Sequence, residues 1–190
     1  MKGVDMSRII ALVGICSAEV KQVSLGSKVT LTQSGIAQTE IIASTLNLLK
    51  VGRIYTSSAT CAMQTSAHIG LAMRPYSPSL HINGLLREVD LDLASNLPAS
   101  GSSTQEFFDQ YGHLFAEDMV KFVPARAKRF MHTLRDYLEL PGCVEVYGVA
   151  FVSHPWFICG LETLLNNCQP SIENIAPGAM REWLVDIERW

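Results

Sequence analysis

At 190 residues, with 48% of them apolar and 17% charged, the chain is long enough for one domain with a real core, and wholesale disorder is excluded. A formal charge of −3 without a Lys/Arg stripe argues against a nucleic-acid partner, and no run approaches the ~20 apolar residues of a membrane span. The five cysteines are irregularly spaced, with no C-x-x-C, which fits reduced thiols in a cytoplasmic protein better than a disulfide framework.

In chain order, the apolar run Ile9–Val13 reads as a buried first strand; a short signal-peptide core after Arg8 is the alternative. Thr32 is placed to cap a helix carrying Ile42, Leu46 and Leu49 on one stripe, with Gly52 as its stop. Arg53–Thr56 is the second strand. A helix from about Thr60 to Met73 ends before Pro75. Residues 75–103, rich in proline and serine, predict an irregular, lid-like stretch. A short helix is expected around Thr104–Tyr111, and a long amphipathic one over Ala116–Leu138, continuous or broken at Pro124. Its cluster of Arg126, Lys128 and Arg129 reads as a solvated face. Pro141-Gly142 ends it, and Val144–Val152 has the apolar, β-branched character of a central strand. Strands alternating with helices predict a single α/β domain over 1–190, with a mainly parallel sheet flanked by helices on both faces.

Three strands run into loops of a kind that holds an anion at the carboxyl edge of an open α/β sheet. They read Gly14-Ile15-Cys16-Ser17, Ser57-Ser58-Ala59-Thr60-Cys61 and Ser153-His154-Pro155. None of the three contains arginine or lysine. Hydroxyls and backbone N–H groups at a helix start still bind anions, so Ser17, Ser57, Ser58, Thr60 and His154 are the candidate ligand-binding residues. Cys16, Cys61 and His154 are the types that hold zinc, but a fourth partner is not evident. Two thiols also raise a redox reading, beside the plain one that both cysteines are inert. No cofactor is expected.

With these blocks placed, the chain resembles the histidine phosphatase (phosphoglycerate mutase-like) superfamily over about residues 10–175. Leu31, Thr32, Gly35 and Gln38 match the family's Leu-Thr-x-x-Gly-x-x-Gln block. Thr56-Ser57-Ser58-Ala59-Thr60-Cys61-Ala62-Met63-Gln64-Thr65 resembles its Ser-rich turn and Arg-Ala-x-Gln-Thr helix start. Leu86-Arg87-Glu88 resembles its Leu-x-Glu segment, and Phe151-Val152-Ser153-His154 its second-histidine strand end.

The resemblance implies a phosphohistidine mechanism, and three of its positions depart from the pattern. The nucleophilic histidine falls at Ile15, and the two phosphate-clamping arginines fall at Gly14 and Cys61. Glu88, at the proton donor's place, and His154, at the second histidine's, are the vestigial catalytic candidates. Losing one preorganised donor costs about 10²–10³ in rate, and losing the nucleophile of a concerted set about 10⁶. The expectation is therefore a catalytically inactive member with a binding or regulatory role, its partner a protein or a small phosphorylated or anionic ligand. The alternative is a phosphoric-ester hydrolase of altered mechanism using His154 and Glu88, or a thiol or metal site at Cys16 and Cys61. A catalytic histidine supplied from elsewhere would fall to His81.

Overall fold

The structure, a computed structural model, describes residues 9–21, 30–87, 123–138, 148–166 and 175–190. Within them a five-stranded sheet has the order β5-β4-β6-β1-β7. Its strands are β1 (Ile9–Cys16), β4 (Val51–Thr56), β5 (Ser79–Ile82), β6 (Gly148–Ser153) and β7 (Met180–Asp186). Only β7 is antiparallel, running against β1; the other pairings are parallel. Helices α1 (Gln33–Leu48), α2 (Thr60–Ala72), α3 (Val123–Leu138) and α4 (Pro155–Asn166) cover the sheet, and a small ribbon of β2 (Val20–Lys21) and β3 (Thr30–Leu31) flanks it. The mainly parallel α/β architecture expected from the sequence is present.

Alternation along the strands divides the core in two. Ile10, Leu12, Tyr55, Val149 and Phe151 pack with Phe130 of α3 and Phe157 of α4. Val13, Ile15, Ile54, Ala150 and Val152 pack with Ile42 and Leu46 of α1 and Ile69 of α2. Every residue of β6 is buried, as a central strand covered on both faces requires. Phe130, Phe151 and Phe157 meet edge to face with centroids 5.5–6.0 Å apart, each pair contributing about 1 kcal/mol beyond the area it buries.

Several boundaries differ from the expectation, each for a local reason. β1 continues through Gly14, Ile15 and Cys16, because β6 on one side and β7 on the other keep pairing with it. The first loop therefore begins at Ser17. Thr32 does cap α1, accepting from the Gly35 N–H at 2.9 Å, but Gly52 does not stop it. The chain turns at Lys50, at φ 51°, and Gly52 lies inside β4. The lid-like stretch holds order at its start: Ser79–Ile82 pairs in parallel with β4, and Gly84–Leu86 forms a 3₁₀ turn. Pro75 and Pro78 precede the paired residues, and β5 lies at the edge of the described sheet, where proline is tolerated. Pro124 sits in the first turn of α3 and does not break it, since an N-terminal turn has no bond to lose there. Glu88, the rest of the lid-like stretch, the helix at Thr104–Tyr111, the segment before Val123 and the start of the Val144–Val152 strand lie outside the described residues.

Candidate functional site

β1, β4 and β6 end side by side: Cys16 is in register with Ser153, and Thr56 with Val152. The loops that leave them are tied together by backbone. Ser17 N–H donates to the Ser153 carbonyl at 2.9 Å, and Ser57 N–H to the Val152 carbonyl at 2.9 Å. Ala18 N–H donates to Thr65 Oγ1 at 3.0 Å, and that hydroxyl donates to the Cys61 carbonyl at 2.8 Å, fastening the first loop to α2. From below, Ser153 Oγ donates to the Leu86 carbonyl at 2.6 Å and holds the turn that ends at Arg87.

On this frame His154 Nε2 stands 3.3 Å from Ser57 Oγ. The same oxygen accepts the Ala59 N–H at 3.3 Å, which leaves Ser57 wholly buried as a structural hydroxyl. Ser58, half-buried beside it, accepts from Arg87 Nε at 2.7 Å. Thr60 is exposed at the start of α2, and no side chain caps that helix at Ala59. Its first N–H groups and dipole thus face the loop.

His154 is held neutral over most of the pH range. Burial of its ring pushes the imidazole pKa down to about 4, and the nearby Arg126 guanidinium adds to the shift. The expected solvated basic face is therefore divided. Lys128 and Arg129 are exposed, whereas Arg126 is half-buried and within electrostatic reach of His154. Arg126 lies one turn from Val123 and from Phe130, on the border of the buried stripe of α3, and that spacing was a legible signal for it. Arg87, on Ser58, is a second cation there among the described residues. Both approach from elements outside the three loops.

The end of β1 is packed shut. Ile15 is fully buried with Val13, Ile42 and Val152. A Cβ on Gly14 would lie 2.7 Å from Phe151 Cζ and 2.9 Å from Trp183 Cη2, two rings stacked at 6.3 Å with planes 6° apart. Cys16 belongs to the core beneath α3 and α4, while Cys61 is half-buried on α2, which covers the opposite face. Among the described residues no three His, Cys, Asp or Glu side chains are grouped to hold a metal ion. Cys159, one turn past His154, faces the core. His81 packs on Tyr55 and Tyr137.

A mainly parallel sheet flanked by helices on both faces matches the phosphoglycerate mutase-like α/β fold. The profile of the histidine phosphatase superfamily, branch 1, matches residues 18–174, and the chain belongs to that superfamily. The matched range does not include Gly14 and Ile15. Solved structures agree on the fold. A mycobacterial glucosyl-3-phosphoglycerate phosphatase, in complex with vanadate, has a TM-score of 0.62 at 15% identity, over 93% of this chain and 98% of that one. A phosphoserine phosphatase variant from Entamoeba histolytica, with a histidine replaced by alanine and phosphoserine bound, scores 0.59 at 17% identity over 92% and 94%. The alpha-ribazole phosphatase of Shigella flexneri scores 0.57 at 17% identity over 91% and 89%. Sequence comparison with curated proteins gives no match. No helix among the described residues is long and apolar enough to cross a membrane.

Proposed function

We propose that this chain binds a phosphorylated or similarly anionic ligand at the carboxyl edge of its sheet without hydrolysing it by the phosphohistidine route, and serves as a binding or regulatory protein. The observation that carries the reading is Ile15, fully buried in the α1–α2 core where the family resemblance puts the nucleophile. Isoleucine has no lone pair, and the rings of Phe151 and Trp183 occupy the space an arginine at Gly14 would need.

What supports retained binding is the charge on the site's rim. Arg87 donates to Ser58, and Arg126 lies within electrostatic reach of His154. The uncapped start of α2 adds N–H donors. Neutral His154 offers a hydrogen bond and not a charge. The phosphoserine phosphatase variant, which holds phosphoserine with a histidine replaced by alanine, is a precedent in this fold for binding with a histidine missing.

The test is hydrolysis of an aryl phosphate and a panel of phosphosugars by the purified protein, beside a His154→Ala control. Turnover no greater than the control's is expected. Activity that disappears in the control overturns the proposal and leaves the alternative of a hydrolase working through His154.

A further inference from the structure

Away from this edge, three buried polar atoms on neighbouring residues under α3 have no hydrogen-bond partner among the described residues. They are Arg53 Nη1, Tyr55 Oη and His81 Nε2. Arg53 and Tyr55 are two residues apart on β4 and so share a face. His81 is in register with Tyr55 across the parallel pair with β5, their rings 5.6 Å apart. Tyr137 of α3 closes the group, 6.3 Å from His81 and with the Arg53 guanidinium 3.5 Å over its ring.

We propose that Arg53, Tyr55 and His81 form a second ligand site, for a small singly charged oxyanion of the carboxylate type. The guanidinium is fixed on two sides: Tyr137 stacks on it, and its Nε donates to Ser79 Oγ at 3.3 Å. That orientation leaves Nη1 as the committed but unfilled donor. Among the described residues no carboxylate pairs with Arg53; the nearest acidic residue of α3, Asp136, is taken by Arg135 at 2.8 Å. A guanidinium drawn into protein without a counter-charge is costly, and an anion supplies what a water molecule cannot. Tyr55, 94% buried by its 6% exposure, brings a neutral hydroxyl donor. Beside Arg53, His81 is held neutral by burial and by that positive charge, so the cluster carries one net charge, matched to a monoanion. Arg53 and His81 are only half-buried, which leaves a way in beside the edge strand β5. A planar carboxylate suits this set best, since one oxygen takes the guanidinium N–H and the other the phenol or imidazole. This site is independent of the one at His154.

The experiment is isothermal titration calorimetry of the full-length protein with sodium acetate, chloride and phosphate at constant ionic strength. It compares wild type with Tyr55→Phe, Arg53→Met and Arg87→Ala. A saturable acetate site is expected, at least about tenfold weaker in Tyr55→Phe, lost in Arg53→Met and unchanged in Arg87→Ala. Thermal melts give a second readout should Arg53→Met fail to fold. Without added anion Tyr55→Phe melts no lower than wild type, because it removes an unpaired buried hydroxyl; acetate then raises the wild-type melting temperature and not the variant's. No saturable acetate binding, binding indifferent to Tyr55 and Arg53, or binding abolished by Arg87→Ala alone each overturns the proposal. Preference for chloride over acetate overturns the assignment of a carboxylate.

Discussion

Ile15 of β1 stands opposite Val152 of β6 in parallel register, and both face the apolar core under α1 and α2. His154, two residues past Val152, leaves the sheet at its edge, while Ile15 is buried within it. The position at which we propose the family's nucleophile would fall is therefore core here.

Restoring that residue alone is not expected to restore chemistry. Ile15→His places an imidazole among Val13, Ile42 and Val152, at a cost of about 2–4 kcal/mol, and gains no phosphatase activity. Urea unfolding with a parallel aryl phosphate assay checks both. Adding Gly14→Arg destabilises further, since its side chain meets Phe151 and Trp183 at once.

The depressed His154 pKa links stability to pH. The folded state resists protonation until about pH 4, whereas the unfolded histidine titrates near 6.5. The stabilisation is complete above about pH 6.5 and is lost progressively as pH falls towards about 4, by roughly 3 kcal/mol at most. Chemical denaturation across this window, wild type against His154→Gln, should show the slope and its reduction in the variant. In Arg126→Met the imidazole pKa rises, readable by NMR titration, because one of its two depressing causes is removed.

Anion affinity at the carboxyl edge should depend on the two rim arginines. Arg87→Ala and Arg126→Ala are each expected to weaken inorganic phosphate binding about tenfold, the loss of one charge-assisted hydrogen bond. Lys128→Ala, on the exposed side of α3, should leave it unchanged. Calorimetric titration separates the three.

Gly35 holds the first loop in place. A Cβ there would run into the Glu19 carbonyl oxygen, which itself accepts the Thr32 N–H at 3.0 Å. Gly35→Ala is expected to cost about 1–3 kcal/mol by overpacking and to lower phosphate affinity by displacing Ser17. A melting curve and the same titration measure both effects.

Much of this was legible in the residues. The apolar run Ile9–Val13 and the mostly apolar Val144–Val152 pointed to a buried, mainly parallel sheet, and Thr32 marked the cap of α1. Boundaries were less so. β1 looked as if it ended at Val13 because Gly14 reads as a loop residue, and only its pairing with β6 and β7 keeps the strand going. The serine- and histidine-bearing loops were legible as neighbours at the carboxyl edge of the sheet. Arg126 was marked by its place on the border of the α3 stripe, but that it and Arg87 lie beside these loops was not legible, because they come from a helix and a turn far along the chain. Their approach depends on Ser153 holding Leu86 and on how α3 lies over the sheet, which are tertiary facts without a local signature. The Arg53–Tyr55–His81 cluster was hidden for the same reason: β5 lies in a stretch whose prolines and serines suggested no strand.

The most direct test of the central claim is phosphorus NMR of the protein with phosphoserine and a phosphosugar, followed over hours beside His154→Ala and Arg87→Ala. Saturable, Arg87-dependent perturbation of the ligand resonance, with no inorganic phosphate above that of the His154→Ala sample, is the predicted result. Inorganic phosphate accumulating in wild type and not in His154→Ala would show a working hydrolase and contradict it.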